Sequence, residues 1–209
     1  MNIRLQAAIG LALIGLSTVA ISHKAQACGL DMHFNAAGHW SMPMYRPSGN
    51  LPLALPKAAG AKQVSAYGNP LQRLFPLTGL YQATFTAEGN PPPGPPDGTI
   101  IDQPYVTWHA DGTELMNSSR NSASGNFCMG VWERTGPHNY SLNHYALAWD
   151  PTGQVFIGPA KFRESIDLAN DNNSYTGTFS IDQYAPDGVT LLGHVQGDIA
   201  ATRITVDSN

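Results

Sequence analysis

The sequence predicts an all-β chain, an antiparallel up-and-down barrel of about eight strands preceded by an irregular Pro-rich arm. Three observations carry this expectation. Beyond Thr78, short β-rich runs follow one another, separated by groups of Gly, Asn, Asp and Pro that supply turns. No run of ten or more residues repeats its apolar positions with a helical period, which argues against a parallel sheet with crossover helices. Successive antiparallel strands with short links leave two free edges, and closure into a barrel removes both.

The first element is an export signal spanning residues 1–27. A basic start with Arg4 leads into an apolar stretch from Leu5 to Ile21, and the segment ends in Ala25-Gln26-Ala27, a small-x-small cleavage site. The strongly apolar part, Ala7 to Ile21, is shorter than the roughly 20 residues that a spanning helix needs, so no membrane span is expected. Export to the periplasm or the medium follows. Cleavage would remove Arg4 and Lys24 and no acid, leaving 9 basic against 15 acidic side chains, a formal charge near −6. Such a surface offers no basic footprint for nucleic acid.

The second element, residues 28–78, is the arm. Pro43, Pro47, Pro52, Pro56, Pro70 and Pro76 break it repeatedly, while Leu51, Leu53, Leu55, Leu71, Leu74 and Phe75 suit a segment lying against a larger body. Cys28 opens it. A disulfide from Cys28 to Cys128 would close a loop of about 100 residues, worth at most ~4.7 kcal/mol in the chain-entropy model. Free thiols remain open, and lipidation of Cys28 is disfavoured because Ala25 stands where a lipid-attachment site wants Leu. Cys28, Met32, His33, His39, Met42 and Met44 also fall close together around Trp40, a donor set that suits copper. No pair among them has a structural-metal spacing, and a Met-rich arm more often covers an apolar surface, so no metal site is assigned.

The third element, residues 79–209, is the barrel. Its runs are Leu80 to Thr86, Tyr105 to His109, Thr113 to Asn117, Phe127 to Glu133, Asn139 to Trp149, Val155 to Leu168, Tyr175 to Tyr184 and Val189 to Val206. Asp111-Gly112, Thr135-Gly136-Pro137, Pro151-Thr152-Gly153, Asn170 to Asn173 and Pro186-Asp187-Gly188 lie between them. The Pro-rich insert from Gly89 to Gly98 suits a stiff loop at a barrel mouth or an inert surface loop.

Gly79-Leu80-Tyr81 opens the first strand and Arg203 stands on the last, in Ala201-Thr202-Arg203-Ile204. This arrangement resembles the calycin superfamily of lipocalin-like barrels, where a Gly-x-Trp on the first strand packs beneath a basic side chain from the closing strand. Tyr81 takes the place of the Trp here. The stretch from Thr78 to Val206, with Trp108-His109-Ala110-Asp111-Gly112, Gly130-Val131-Trp132 and Ser174-Tyr175-Thr176-Gly177, is similar to uncharacterised secreted bacterial proteins described as lipocalin-like. The resemblance implies a calycin-type barrel and brings no established activity. Allene oxide cyclases and dirigent proteins use related barrels to hold a reactive apolar molecule, so the architecture serves storage or chemistry equally.

Alternate residues of a small barrel face its lumen, which can hold one ligand. On the Asn139 to Trp149 run we take Tyr140, Leu142, His144, Ala146 and Ala148 as the inward face, with the outer face covered. His144, Trp132 and Phe85 then line a pocket with an aromatic wall and one titratable group, suited to a small hydrophobic or aromatic molecule. His144 serves equally as a hydrogen-bonded core histidine. His109 sits near a strand end, and Glu114 across the Asp111-Gly112 turn is placed to orient it as a general base. A solvated His and Glu flanking a turn is the commoner arrangement.

Arg163 and Glu164 are adjacent on a strand and face opposite ways, so one of them reaches the lumen, where Arg163 would meet a ligand carboxylate. The competing reading runs this strand along the surface with Arg163 outward. No Gly-x-Ser-x-Gly elbow, phosphate-binding loop or dinucleotide fingerprint is present, and no cofactor is expected. The leading expectation is therefore a hydrophobic-ligand barrel. Its alternatives are a cyclase or isomerase acting in the same pocket, and a copper-binding protein using the arm.

Overall fold

The computed structural model describes residues 74–208, together with the backbone of two short arm strands, β1 (His33–Phe34) and β2 (Trp40–Ser41), which pair antiparallel. The expected signal segment, Cys28 and the side chains of the candidate copper donors lie outside the described residues. Among the described residues no helix is long and apolar enough to cross a membrane.

The barrel is built from β3 (Gly79–Ala87), β5 (Tyr105–Trp108), β6 (Thr113–Asn117), β7 (Phe127–Arg134), β8 (Asn139–Trp149), β9 (Phe156–Leu168), β10 (Ser174–Tyr184) and β11 (Leu191–Arg203). Each pairs antiparallel with the next, and β11 returns to β3 from Arg203↔Tyr81 to Gly197↔Ala87, closing the sheet. An all-β, eight-stranded closed barrel is thus what the sequence expectation described, with strand ends within a few residues of the expected runs.

One strand was not foreseen. β4 (Ile100–Asp102) follows the Pro-rich insert and folds back on the end of β3 through Phe85↔Asp102 and Thr86↔Ile100. Three residues before Gln103-Pro104 are too few to show a period. The insert is held at the rim: Gly89 N donates to Asp97 Oδ1 at 2.8 Å, and Asn90 Nδ2 donates to Gln196 O on β11 at 2.8 Å.

Alternation along the strands sends Tyr81, Ala83, Phe85 and Ala87 inward on β3, and Tyr140, Leu142, His144, Ala146 and Ala148 inward on β8, all of them buried. The interior is graded along the barrel axis. At the end where β3 begins and β11 finishes, five aromatic rings form a continuous chain: Tyr81 to Tyr175 at 5.0 Å, Tyr175 to Trp108 at 5.9 Å, Trp108 to Trp132 at 6.0 Å, and Trp132 to Tyr140 at 5.6 Å. Tilted and edge-on contacts of this kind contribute about 0.5–1.5 kcal/mol each beyond area burial.

Arg203 closes that end. Its guanidinium carbon lies 4.6 Å from the Tyr81 ring centre, and it donates to Thr78 O at 2.6 Å, Pro76 O at 2.6 Å, Asn172 O at 2.8 Å and the Tyr81 hydroxyl. The basic side chain of the last strand therefore covers the aromatic ring of the first. Toward the opposite end the walls carry the small Ala87, Cys128, Ala146, Ala148 and Ala160 beside the larger Ile101, Met116 and Ile157, all buried.

The outer face of β8 differs from expectation. Tyr145 is 50 % and Leu147 60 % exposed, beside Met129 at 61 % on β7, so this face is open where a covered one was expected.

Candidate functional site

Between the aromatic end and the small-residue end lies a belt of buried polar groups. Glu114 on β6 and His144 on β8 both point inward, and neither side chain is exposed to solvent. Their strands are not neighbours, because β7 runs between them with Glu114↔Gly130 and Gly130↔His144 as register pairs. Gly130 makes the meeting possible. A Cβ there would stand 2.5 Å from His144 Cβ and 2.8 Å from Glu114 Oε2, too close for either to keep its place.

Across the open position His144 Nδ1 lies 3.2 Å from Glu114 Oε2. The pair is within ion-pair range but poorly aligned for a hydrogen bond, so both ring nitrogens of His144 and both carboxylate oxygens of Glu114 retain unused hydrogen-bonding capacity. On the far side of His144, the Phe162 ring of β9 packs at 4.3 Å.

Glu164 joins this belt from β9. It sits two residues beyond Phe162, opposite Leu142 on one side and Phe179 on the other, and is buried. Burial, reinforced by the charge of Glu114, pushes its carboxyl well above the ordinary carboxylate range, which favours its neutral form. Glu164 Oε2, the Tyr175 hydroxyl and Trp108 Nε1 are also buried without a well-formed hydrogen bond. Burial, followed by the nearby Glu164, raises the Tyr175 hydroxyl well above its ordinary range, so it too remains a donor.

The remaining expected site residues fall into place around the belt. Phe85 is inward and meets Phe179 edge-on at 5.1 Å. Trp132 belongs to the aromatic end, and its indole N–H is spent on the carbonyls of His109 and Thr113, both at 3.1 Å. Cys128 is buried on the inward face opposite Met116 and Ala146; its expected partner Cys28 lies outside the described residues.

Two expectations are corrected. Glu114 does not orient His109. Trp108 takes the inward position at the end of β5, which leaves His109 in the turn, where its Nδ1 lies 3.1 Å from Thr113 Oγ1. Arg163 does not reach the lumen, because Phe162 and Glu164 occupy the inward positions of β9 and alternation sends Arg163 to the exposed face. Glu164 is the inward member of the Arg163-Glu164 pair, and Tyr175 and Trp108 are interior residues to which the sequence reading gave no role. The signals for the belt were the Arg163-Glu164 alternation and the lone Gly130 inside a strand.

Other polar clusters are self-contained. Asp102 accepts from Gln103 N at 2.7 Å, Ser118 Oγ at 2.5 Å, and Ser119 N and Oγ at 3.0 and 2.8 Å, a fully satisfied rim carboxylate. His194 and Asp182 form a 2.6 Å pair on the outside of the barrel. Among the described residues no three His, Cys, Asp or Glu side chains are grouped to hold a metal ion.

Comparison with known proteins gives no family for this chain: no family model matches it, and neither a curated protein nor a solved structure matches it.

Proposed function

We propose that this chain is an exported calycin-type barrel that holds one small hydrophobic or aromatic molecule in its interior, oriented by the polar belt of Glu114, His144 and Glu164. One observation supports this reading above others. A buried polar group without a completed hydrogen bond costs about 1–3 kcal/mol, and this interior gathers several such atoms, on Glu114, His144 and Glu164, within an otherwise apolar wall. A ligand with an apolar body and one polar head would use those groups while its body lies against Phe85, Phe162 and Phe179.

Titration with Prodan, a neutral naphthyl ketone with intrinsic fluorescence, tests the reading. Saturable binding of one molecule per chain, with quenching of tryptophan emission and loss of affinity in His144→Ala, is the expected result. Absence of saturable binding by this and other neutral apolar probes would overturn it.

A further inference from the structure

We propose that the outer face of β7 and β8 docks the protein on a membrane surface carrying anionic lipid, with its apolar side chains in the headgroup layer and Lys161 and Arg163 on lipid phosphates. The proposal concerns the outside of the barrel and does not depend on the interior-binding reading.

Alternation puts Phe127, Met129 and Val131 on the outside of β7 and Tyr145 and Leu147 on the outside of β8, and each of these five is half or more exposed. Register joins them into one face. Met129 stands opposite Leu115 on one side and Tyr145 on the other, with Phe127 and Val131 two residues away along its own strand. The opposite wall of the barrel is different. There β3 and β11 turn Thr84, Thr86, Gln196 and Asp198 outward, the polar pattern of a sheet face that meets water. A contiguous exposed apolar face marks a surface that meets something else.

Charge selects the occupant. Among the described residues Arg120 lies beside Asp102, Arg134 donates to the carbonyls of Gly136 and Pro137, and Arg203 closes the aromatic end. The remaining Lys161 and Arg163 stand on the outside of β9, directly beside the apolar face, opposite Tyr145 and Asn143. Lys161 Nζ lies 5.6 Å from the Tyr145 ring centre, which carries its charge to the edge of the apolar surface. The acids at the ends of the face are Glu133 and Asp150. Glu133 lies past Val131 toward the aromatic end, and Asp150 is spent on its own turn, accepting from Thr152 Oγ1 and the amides of Gln154 and Val155.

The occupant is therefore apolar and anionic. Residues 28–73 do not answer to that description, since they carry Arg46, Lys57, Lys62 and Arg73 against Asp31. A second copy would offer the same two bases and no anion to meet them. The wall of a closed barrel is convex, with no groove to seat a peptide, whereas a fluid layer of headgroups conforms to it. Apolar burial in the headgroup layer and cationic contact with anionic lipid reinforce each other in binding of this kind.

The test is partition of the secreted protein into vesicles of phosphatidylcholine alone, or of equal parts phosphatidylcholine and phosphatidylglycerol, read by co-flotation. At about 0.1 M salt the mixed vesicles should be favoured at least ten-fold, and the preference should shrink at about 0.5 M, where screening is stronger. Lys161→Gln with Arg163→Gln should weaken binding to mixed vesicles by about ten-fold or more, at roughly five-fold per charge. Met129→Ser with Leu147→Ser should weaken it by about ten-fold through lost apolar contact. Circular dichroism verifies each fold, with Val131→Ser standing in for either serine substitution that disturbs it. No partition, equal partition into the two kinds of vesicle, or binding that survives both double variants overturns the proposal. So does a dimer, seen by analytical ultracentrifugation without vesicle binding, that Met129→Ser with Leu147→Ser dissociates, because it gives the face to a second copy.

Discussion

Glu114 and His144 touch across an intervening strand, and they do so because Gly130 between them has no side chain. The polar belt depends on that one small residue, and the space a side chain would need there is already taken by His144, Glu114 and Leu142. Gly130→Ala is expected to lower stability by about 1–3 kcal/mol, the usual cost of overpacking, and to displace His144. Denaturant unfolding measures the first, and the ring resonances of His144 in NMR report the second.

Arg203 supplies a second, independent test. Its donors reach three carbonyls and the Tyr81 hydroxyl, and hydrogen bonds from charged donors are worth roughly 1.5–3 kcal/mol each. Arg203→Lys keeps the charge but cannot reach all of these acceptors from one plane, so a loss of about 3 kcal/mol in urea unfolding is expected. Tyr81→Phe removes only the hydroxyl and should cost about 1 kcal/mol.

Glu164 gives stability a pH dependence with a definite sign. Its inward neighbours are Glu114 on β6, His144 on β8 and Tyr175 on β10, and its carboxyl is raised in the fold, first by burial and then by the Glu114 charge. A raised acid favours the folded state while it keeps its proton. That contribution is complete below the ordinary glutamate value of 4.5 and is lost as pH rises through the folded-state value. Glu164→Gln should therefore gain stability relative to the natural chain as pH increases from 4.5, by about 1.4 kcal/mol per pH unit until Glu164 ionises in the folded state, and show no growing advantage below it. Thermal unfolding of both proteins between acid and mildly alkaline pH reads this directly; a constant difference across the range would place the titration elsewhere.

His109 separates the interior belt from a surface histidine. Because it sits in the turn beside Thr113 and not on the inward face, His109→Ala should change Prodan affinity less than about two-fold, whereas His144→Ala should abolish saturable binding. Parallel fluorescence titrations of the two variants make the comparison.

Much of the barrel was legible because its turns are chemically explicit. Thr135-Gly136-Pro137 and Pro151-Thr152-Gly153 bracket Asn139–Trp149 so tightly that both the strand and its alternation follow, and His144 faces inward as read. The site was less legible because it depends on register. Alternation places Arg163 and Glu164 on opposite faces, but only the pairing of Phe162 with His144 decides that Glu164 is the inner one. Glu114 is near His109 in sequence and near His144 only through two successive strand pairings, a relationship that no local pattern encodes. The isolated Gly130 in a strand interior was the available clue, since such a glycine marks a close approach. β4 escaped notice for a simpler reason, three residues being too short to display a period.

The central claim is that a small apolar molecule sits inside the barrel with its polar head on the belt, and a crystal structure of the protein grown with Prodan tests it most directly. The account predicts the ketone oxygen within hydrogen-bonding distance of Glu164 or His144 and the naphthyl rings against Phe85, Phe162 and Phe179. Prodan bound only on the open outer face, over Met129, Tyr145 and Leu147, with the interior unchanged, would contradict it.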